Sequence, residues 1–102
     1  MVALESAELF RALRPDEARA LRKIALLREY DDGQVIFNEG DPGDGVYVVG
    51  AGQVEISGML NSETRRVFSQ VGPGGMFGEM AVIEHRPRSA SAIARQPTTV
   101  FF

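Results

Sequence analysis

From residue 25 onward, short runs of β-branched and aromatic residues alternate with clusters of glycine, proline, asparagine and aspartate. The runs fall at residues 25–30, 35–37, 46–49, 54–57, 66–71, 89–94 and 98–102, each of ordinary strand length. Within 66–71, Val67, Ser69 and Val71 share one face and Phe68 and Gln70 the other, as the two-residue period of a strand requires. The segments Asp31-Asp32-Gly33, 39–45, Gly50-Ala51-Gly52 and 72–75 carry the residue types that supply turns, and 58–64 predicts a mobile hairpin loop. Many short strands punctuated in this way predict a sandwich or barrel.

The N-terminal part follows a different period. Two short helices are predicted there, one over residues 6–13 with Ser6 as its cap and one starting at Pro15. Proline suits a first helical position, Asp16 and Glu17 complement the positive helix end, and Arg22 and Lys23 fall near the negative end. Ala18, Leu21 and Ile24, three residues apart, give this helix one apolar stripe. Helices at one end and strands in the body make the fold class α+β, with a jelly-roll-like β-roll. The pattern alone does not fix the strand order.

A chain of 102 residues suits one domain. The absence of cysteine removes any disulfide framework, thiolate zinc site or cysteine nucleophile, and makes a cytoplasmic setting the expectation. A net charge of −3 argues against sequence-blind attraction to nucleic acid or to an anionic membrane, so no direct nucleic-acid partner is expected. No stretch approaches the roughly 20 apolar residues of a membrane-spanning helix, and no signal peptide is evident. The chain stops inside the strand-like run 98–102, so residues 1–102 are expected to be a single domain of a longer protein.

The most informative chemistry lies between Phe77 and Ser91, where a glycine, a helix start, a carboxylate and an arginine occur close together. A helix N-terminus offers unpaired N–H groups and positive dipole to an anion, and Arg88 adds a charge-assisted fork for phosphate oxygens. Glu79 would repel that anion and instead suits hydroxyl donors such as those of a ribose. Each residue also has a plainer reading: Arg88 as a surface charge, Glu79 as a helix-start acid, Gly78 as a turn glycine.

Phe77-Gly78-Glu79-Met80-Ala81 followed by Pro87-Arg88-Ser89-Ala90 resembles the phosphate-binding cassette of cyclic nucleotide-binding domains, with the Glu79-to-Arg88 spacing ungapped. Phe37-Asn38-Glu39-Gly40-Asp41-Pro42-Gly43-Asp44 and Val46-Tyr47-Val48-Val49 are similar to that family's early strands and turn, so the likeness covers nearly the whole chain. The resemblance implies the same β-roll, with an inserted phosphate-binding helix starting near Glu79 between two strands. It implies that Arg88 pairs with the exocyclic oxygens of a cyclic phosphate, where lysine would be a poor substitute, and that Glu79 accepts the ribose 2′-hydroxyl proton.

By the same resemblance Gly78, Met80 and Ala81 bring backbone close to the ligand, and Ser89 and Ala90 offer N–H groups to the phosphate. Serine at position 89 favours cAMP over cGMP. Val71 and Ser69 look toward the purine or line the roll interior. In the family a helix after the last strand caps the base, and these residues end before it. The implied function is a regulatory sensor that binds a cyclic mononucleotide and signals to an effector outside this chain. The competing reading is an interaction or oligomerisation module of the same fold with little nucleotide affinity.

Other chemistries find no support. Gly72, Gly74, Gly75 and Gly78 miss the dinucleotide fingerprint spacing, and no Gly-Lys-Ser/Thr is present for a P-loop. Asp41 and Asp44 lack EF-hand spacing. A single histidine, His85, cannot form the histidine cluster of a metal-dependent β-roll enzyme, so neither a metal nor a cofactor is expected. No serine or threonine has an evident base partner, which makes binding without turnover the expectation.

Overall fold

The strands of the computed structural model, which describes residues 11–43, 45–61, 63–79, 81 and 85–102, pair in a nested order. Along the chain they are β1 (Leu27–Tyr30), β2 (Val35–Phe37), β3 (Tyr47–Ala51), β4 (Val54–Met59), β5 (Arg65–Val71), β6 (Met76–Phe77), β7 (Ser91–Ala94) and β8 (Thr98–Phe101). β1 pairs with β8, β2 with β7, β3 with β6 and β4 with β5, all antiparallel. Further ladders from β3 to β8 and from β4 to β7 complete two four-stranded sheets, ordered β1-β8-β3-β6 and β2-β7-β4-β5. This is the jelly-roll arrangement, and it settles the strand order that the sequence pattern leaves open.

The core lies between the sheets. Tyr47, Val49, Phe77 and Val100 from one sheet meet Phe37, Val54 and Ala92 from the other. The aromatic members form a tight group, with the Tyr47 and Phe77 rings stacked at 5.0 Å and Phe102 tilted against Tyr47 at 4.8 Å. Burial of such rings is the main favourable term in a domain of this size.

On the outer side of the second sheet, the buried Glu55 carboxylate accepts hydrogen bonds from Nε and Nη2 of Arg95 at 3.1 and 2.7 Å. Those bonds raise the Arg95 pKa above its ordinary value.

Among the described residues one helix, α1 (Pro15–Ile24), precedes the strands. Its first turn carries Asp16 and Glu17, and the Arg14 backbone N–H donates to the Glu17 carboxylate at 3.0 Å. The expected apolar stripe is only partly covered: Ala18 and Leu21 are half-buried, whereas Ile24 is 72% exposed. The first predicted helix falls mostly on residues 1–10, outside the described residues, and only a 3₁₀ turn at Arg11 and Ala12 is seen. The expected inserted helix likewise falls largely on residues 80 and 82–84, outside the described residues; helical backbone is described at Glu79 and Ala81 alone.

Two expectations about strands need correction. β6 is absent from the predicted set, since two residues bounded by glycines carry no period. In β5 the register shifts between Ile56, paired with Ser69, and Ser57, paired with Val67. Phe68 is the extra residue of this bulge, so strict alternation from Val67 to Val71 breaks at that point.

The turn between β3 and β4 depends on Gly52, which has φ +93°. A Cβ there would lie 2.6 Å from the Pro97 carbonyl oxygen and 2.7 Å from Thr98 Cα, backbone atoms at the junction of the preceding turn and β8. Gly52→Ala is expected to destabilise the domain by about 1–3 kcal/mol, the range for a residue held in a disfavoured backbone region. Thermal unfolding followed by circular dichroism checks this, at about 4–8 °C per kcal/mol for a domain of this size. An unchanged midpoint would show that the turn relaxes without strain.

Candidate functional site

The chain between β6 and β7 forms one wall of a cavity of about 210 Å³. The opposite wall comes from β2, β4 and β5 through Phe37, Ile56, Ser69 and Val71. At the start of the β6–β7 segment Gly78 turns with φ +84°, and Glu79 follows, half-buried at the cavity edge. A Cβ on Gly78 would lie 2.7 Å from Arg88 Nη1, so only glycine lets the backbone and the arginine approach this closely.

Arg88 is 3% exposed although it is charged. Its Nη1 donates to the Gly78 carbonyl at 2.5 Å and its Nη2 to the Gly45 carbonyl at 2.7 Å. Its Cζ lies 4.3 Å from the Phe37 ring centroid. The surface-charge reading is therefore excluded by burial, because a guanidinium kept from water needs bonded acceptors of this kind.

The backbone around Arg88 is held as firmly as its side chain. Its N–H donates to the Asp41 carbonyl and its own carbonyl accepts from Gly40 N–H, both at 2.8 Å. The turn that supplies these partners is closed by the Asp41 carboxylate, which accepts the Asn38 N–H at 2.9 Å. Glu39 N–H donates to Ser91 Oγ at 2.9 Å, tying the same turn to the start of β7. Gly43 packs against Ala81, where a Cβ would come 2.6 Å from the alanine methyl group. The 38–43 turn thus grips both ends of the β6–β7 segment.

The structure brings Gly78, Glu79, Ala81, Arg88, Ser89, Ala90, Val71 and Ser69 to this one cavity. Met80 lies outside the described residues. Sequence reasoning did not single out Phe37, Ile56, Met76 and Phe77, which also line it. Met76 and Phe77 directly precede Gly78 and were within reach of the motif itself. Ile56 is exposed as a partner only by the cross-strand register that pairs it with Ser69. The cavity is thus apolar on the strand side except for Ser69 and carries opposite charges, Arg88 and Glu79, on the segment side.

Among the described residues no group of three or more histidine, aspartate or glutamate side chains is placed to hold a metal ion. Nor is any helix among them long and apolar enough to cross a membrane.

A family model described as the cyclic nucleotide-binding domain matches residues 27–102. The cAMP-dependent protein kinase type II regulatory subunit of Drosophila melanogaster is 36% identical over 91 residues, which is 89% of this chain and 24% of the relative. The cyclic AMP receptor protein of Thermus thermophilus is 34% identical over 95 residues, 93% of this chain and 44% of the relative. This chain therefore spans less than half the length of either.

Among solved structures, the regulatory domain of Toxoplasma gondii protein kinase A with cAMP superposes with a TM-score of 0.87 at 26% identity, over 96% of this chain and 37% of the other. With its nested β-roll, its cavity beside the β6–β7 segment and the match over residues 27–102, this chain belongs to the cyclic nucleotide-binding domain family.

Proposed function

We propose that this domain is the sensor of a longer regulatory protein, binding a cyclic mononucleotide, cAMP in preference to cGMP, without turning it over. The observation that carries this reading is the joint placement of buried Arg88 and half-buried Glu79 on one cavity with an apolar wall of Ile56 and Val71. A cyclic nucleotide has the same division: an anionic phosphodiester, a free 2′-hydroxyl and a flat apolar base.

Arg88 serves the phosphate oxygens, assisted by backbone N–H groups at Ala81, Ser89 and Ala90, and Glu79 accepts a hydrogen bond from the 2′-hydroxyl. Ser69 and Val71 meet the base. Serine at position 89 and the named cAMP proteins among the relatives support cAMP. Ligand phosphate draws the Glu79 and Arg88 ends of the β6–β7 segment together and biases an effector beyond these residues through its differential affinity for the two arrangements.

Calorimetric titration with cAMP tests the roles directly. Arg88→Ala is expected to lose about 2–5 kcal/mol of binding, as for truncating one partner of a buried charged pair, and Arg88→Lys to restore little of it. Unchanged affinity in a folded Arg88→Ala variant would remove Arg88 from the site.

Glu79→Ala is expected to lose about 1.5–3 kcal/mol, the range for a hydrogen bond to a charged group. The loss should vanish with 2′-deoxy-cAMP, which has no hydroxyl for Glu79 to receive. A deoxy analogue that discriminates wild type from mutant as strongly as cAMP does would contradict the ribose role.

A further inference from the structure

Phe37 lies in the core, 9% exposed, paired with Ala92 across the sheet and flanked by the rings of Tyr47 at 5.7 Å and Phe77 at 6.0 Å. Core packing accounts for that burial, and leucine or isoleucine would keep the position apolar. It does not account for the guanidinium of Arg88, whose Cζ sits 4.3 Å from the Phe37 centroid in a site almost closed to water. An aromatic face attracts a guanidinium within about 6 Å, and the attraction strengthens when both are desolvated.

Phe37 Cε2 and Arg88 Nη1 lie 3.5 and 2.7 Å from the place a Gly78 Cβ would occupy, so ring, cation and glycine backbone meet at one point. The carbonyls of Gly78 and Gly45 hold two nitrogens of the fork. The ring holds its face.

We infer that Phe37 is a positioning residue, an aromatic platform that keeps the Arg88 fork in its ligand-receiving orientation before ligand arrives. The inference rests on the reading that Arg88 meets the phosphate of a cyclic nucleotide. A flexible arginine receives an anion only for the fraction of time it spends in the competent conformer, and the apparent affinity falls by that fraction. An aliphatic residue at 37 fills the core but offers no negative ring face, which leaves the fork only the two carbonyl bonds and the more distant Tyr47 ring, 5.7 Å from Cζ, to hold its orientation.

The experiment is calorimetry with cAMP on the whole chain, comparing wild type, Phe37→Leu, Phe37→Tyr and the same Phe37→Leu change in an Arg88→Gln background. Phe37→Leu should weaken binding about tenfold, and Phe37→Tyr should stay within about threefold of wild type, because the ring face is retained. In the Arg88→Gln background Phe37→Leu should change affinity by less than about twofold, since its effect passes through the guanidinium.

Equal losses in both backgrounds would reduce Phe37 to core packing and overturn the inference, as would full affinity in Phe37→Leu. Wild type that binds neither cAMP nor cGMP would overturn the functional reading itself, and this inference with it. NMR of the unliganded wild-type chain provides a second arm that needs no variant to fold. The Arg88 side-chain protons should lie upfield, under the Phe37 ring current, and random-coil positions would overturn the platform.

Discussion

A guanidinium held out of water depends on the protein for its acceptors, and the burial of Arg88 dictates much of what surrounds it. Gly78 holds φ +84°, a region that side chains rarely adopt, and a Cβ there would press on Nη1. Gly45 contributes its carbonyl while its missing side chain leaves room for the Phe102 ring, which would stand 2.5 Å from a Cβ there. Phe37 supplies the face, and the 38–41 turn supplies backbone partners on either side of Arg88. Remove the arginine, and a glycine, a turn and an aromatic packing choice lose their common reason.

The fold is arranged so that these partners converge. β2 and β7 are neighbours, so the turn after β2 and the segment before β7 arrive at the same edge of the second sheet. β4 and β5 extend that sheet beneath the cavity and present Ile56, Ser69 and Val71. Affinity for an anion, selectivity for a hydroxyl and contact with a base are therefore divided between one contiguous segment and a sheet that is assembled from distant parts of the chain.

That division explains what the sequence discloses. Arg88, Glu79 and Gly78 were legible because their chemistry sits within a few residues, and charge and backbone freedom can be read locally. The strands were legible for the same reason, being runs of β-branched residues between turn formers. Phe37 and Ile56 were not, because nothing local marks a phenylalanine as the seat of an arginine far along the chain, or an isoleucine as the neighbour of Ser69. The bulge at Phe68 was hidden for a related reason: a register shift belongs to a pair of strands, and one strand's alternation carries no record of it. The two residues of β6 are too few to show a period at all.

Nested pairing also imposes a timetable. β4 and β5 are joined by a short loop and can pair with little loss of chain entropy, whereas β1 and β8 must close almost the whole described chain. Once the inner hairpin exists, the loop still to be closed by β3 and β6 is shorter, and each later pair inherits the same saving. Assembly by zippering from the centre outward is the entropically cheapest order, and the high sequence separation of the outer pairs places the domain among the slower folders of its size. On a ribosome the first sheet lacks its second strand until β8 emerges, so β1 and β3 stay without their shared neighbour until the last strand of the roll has been made.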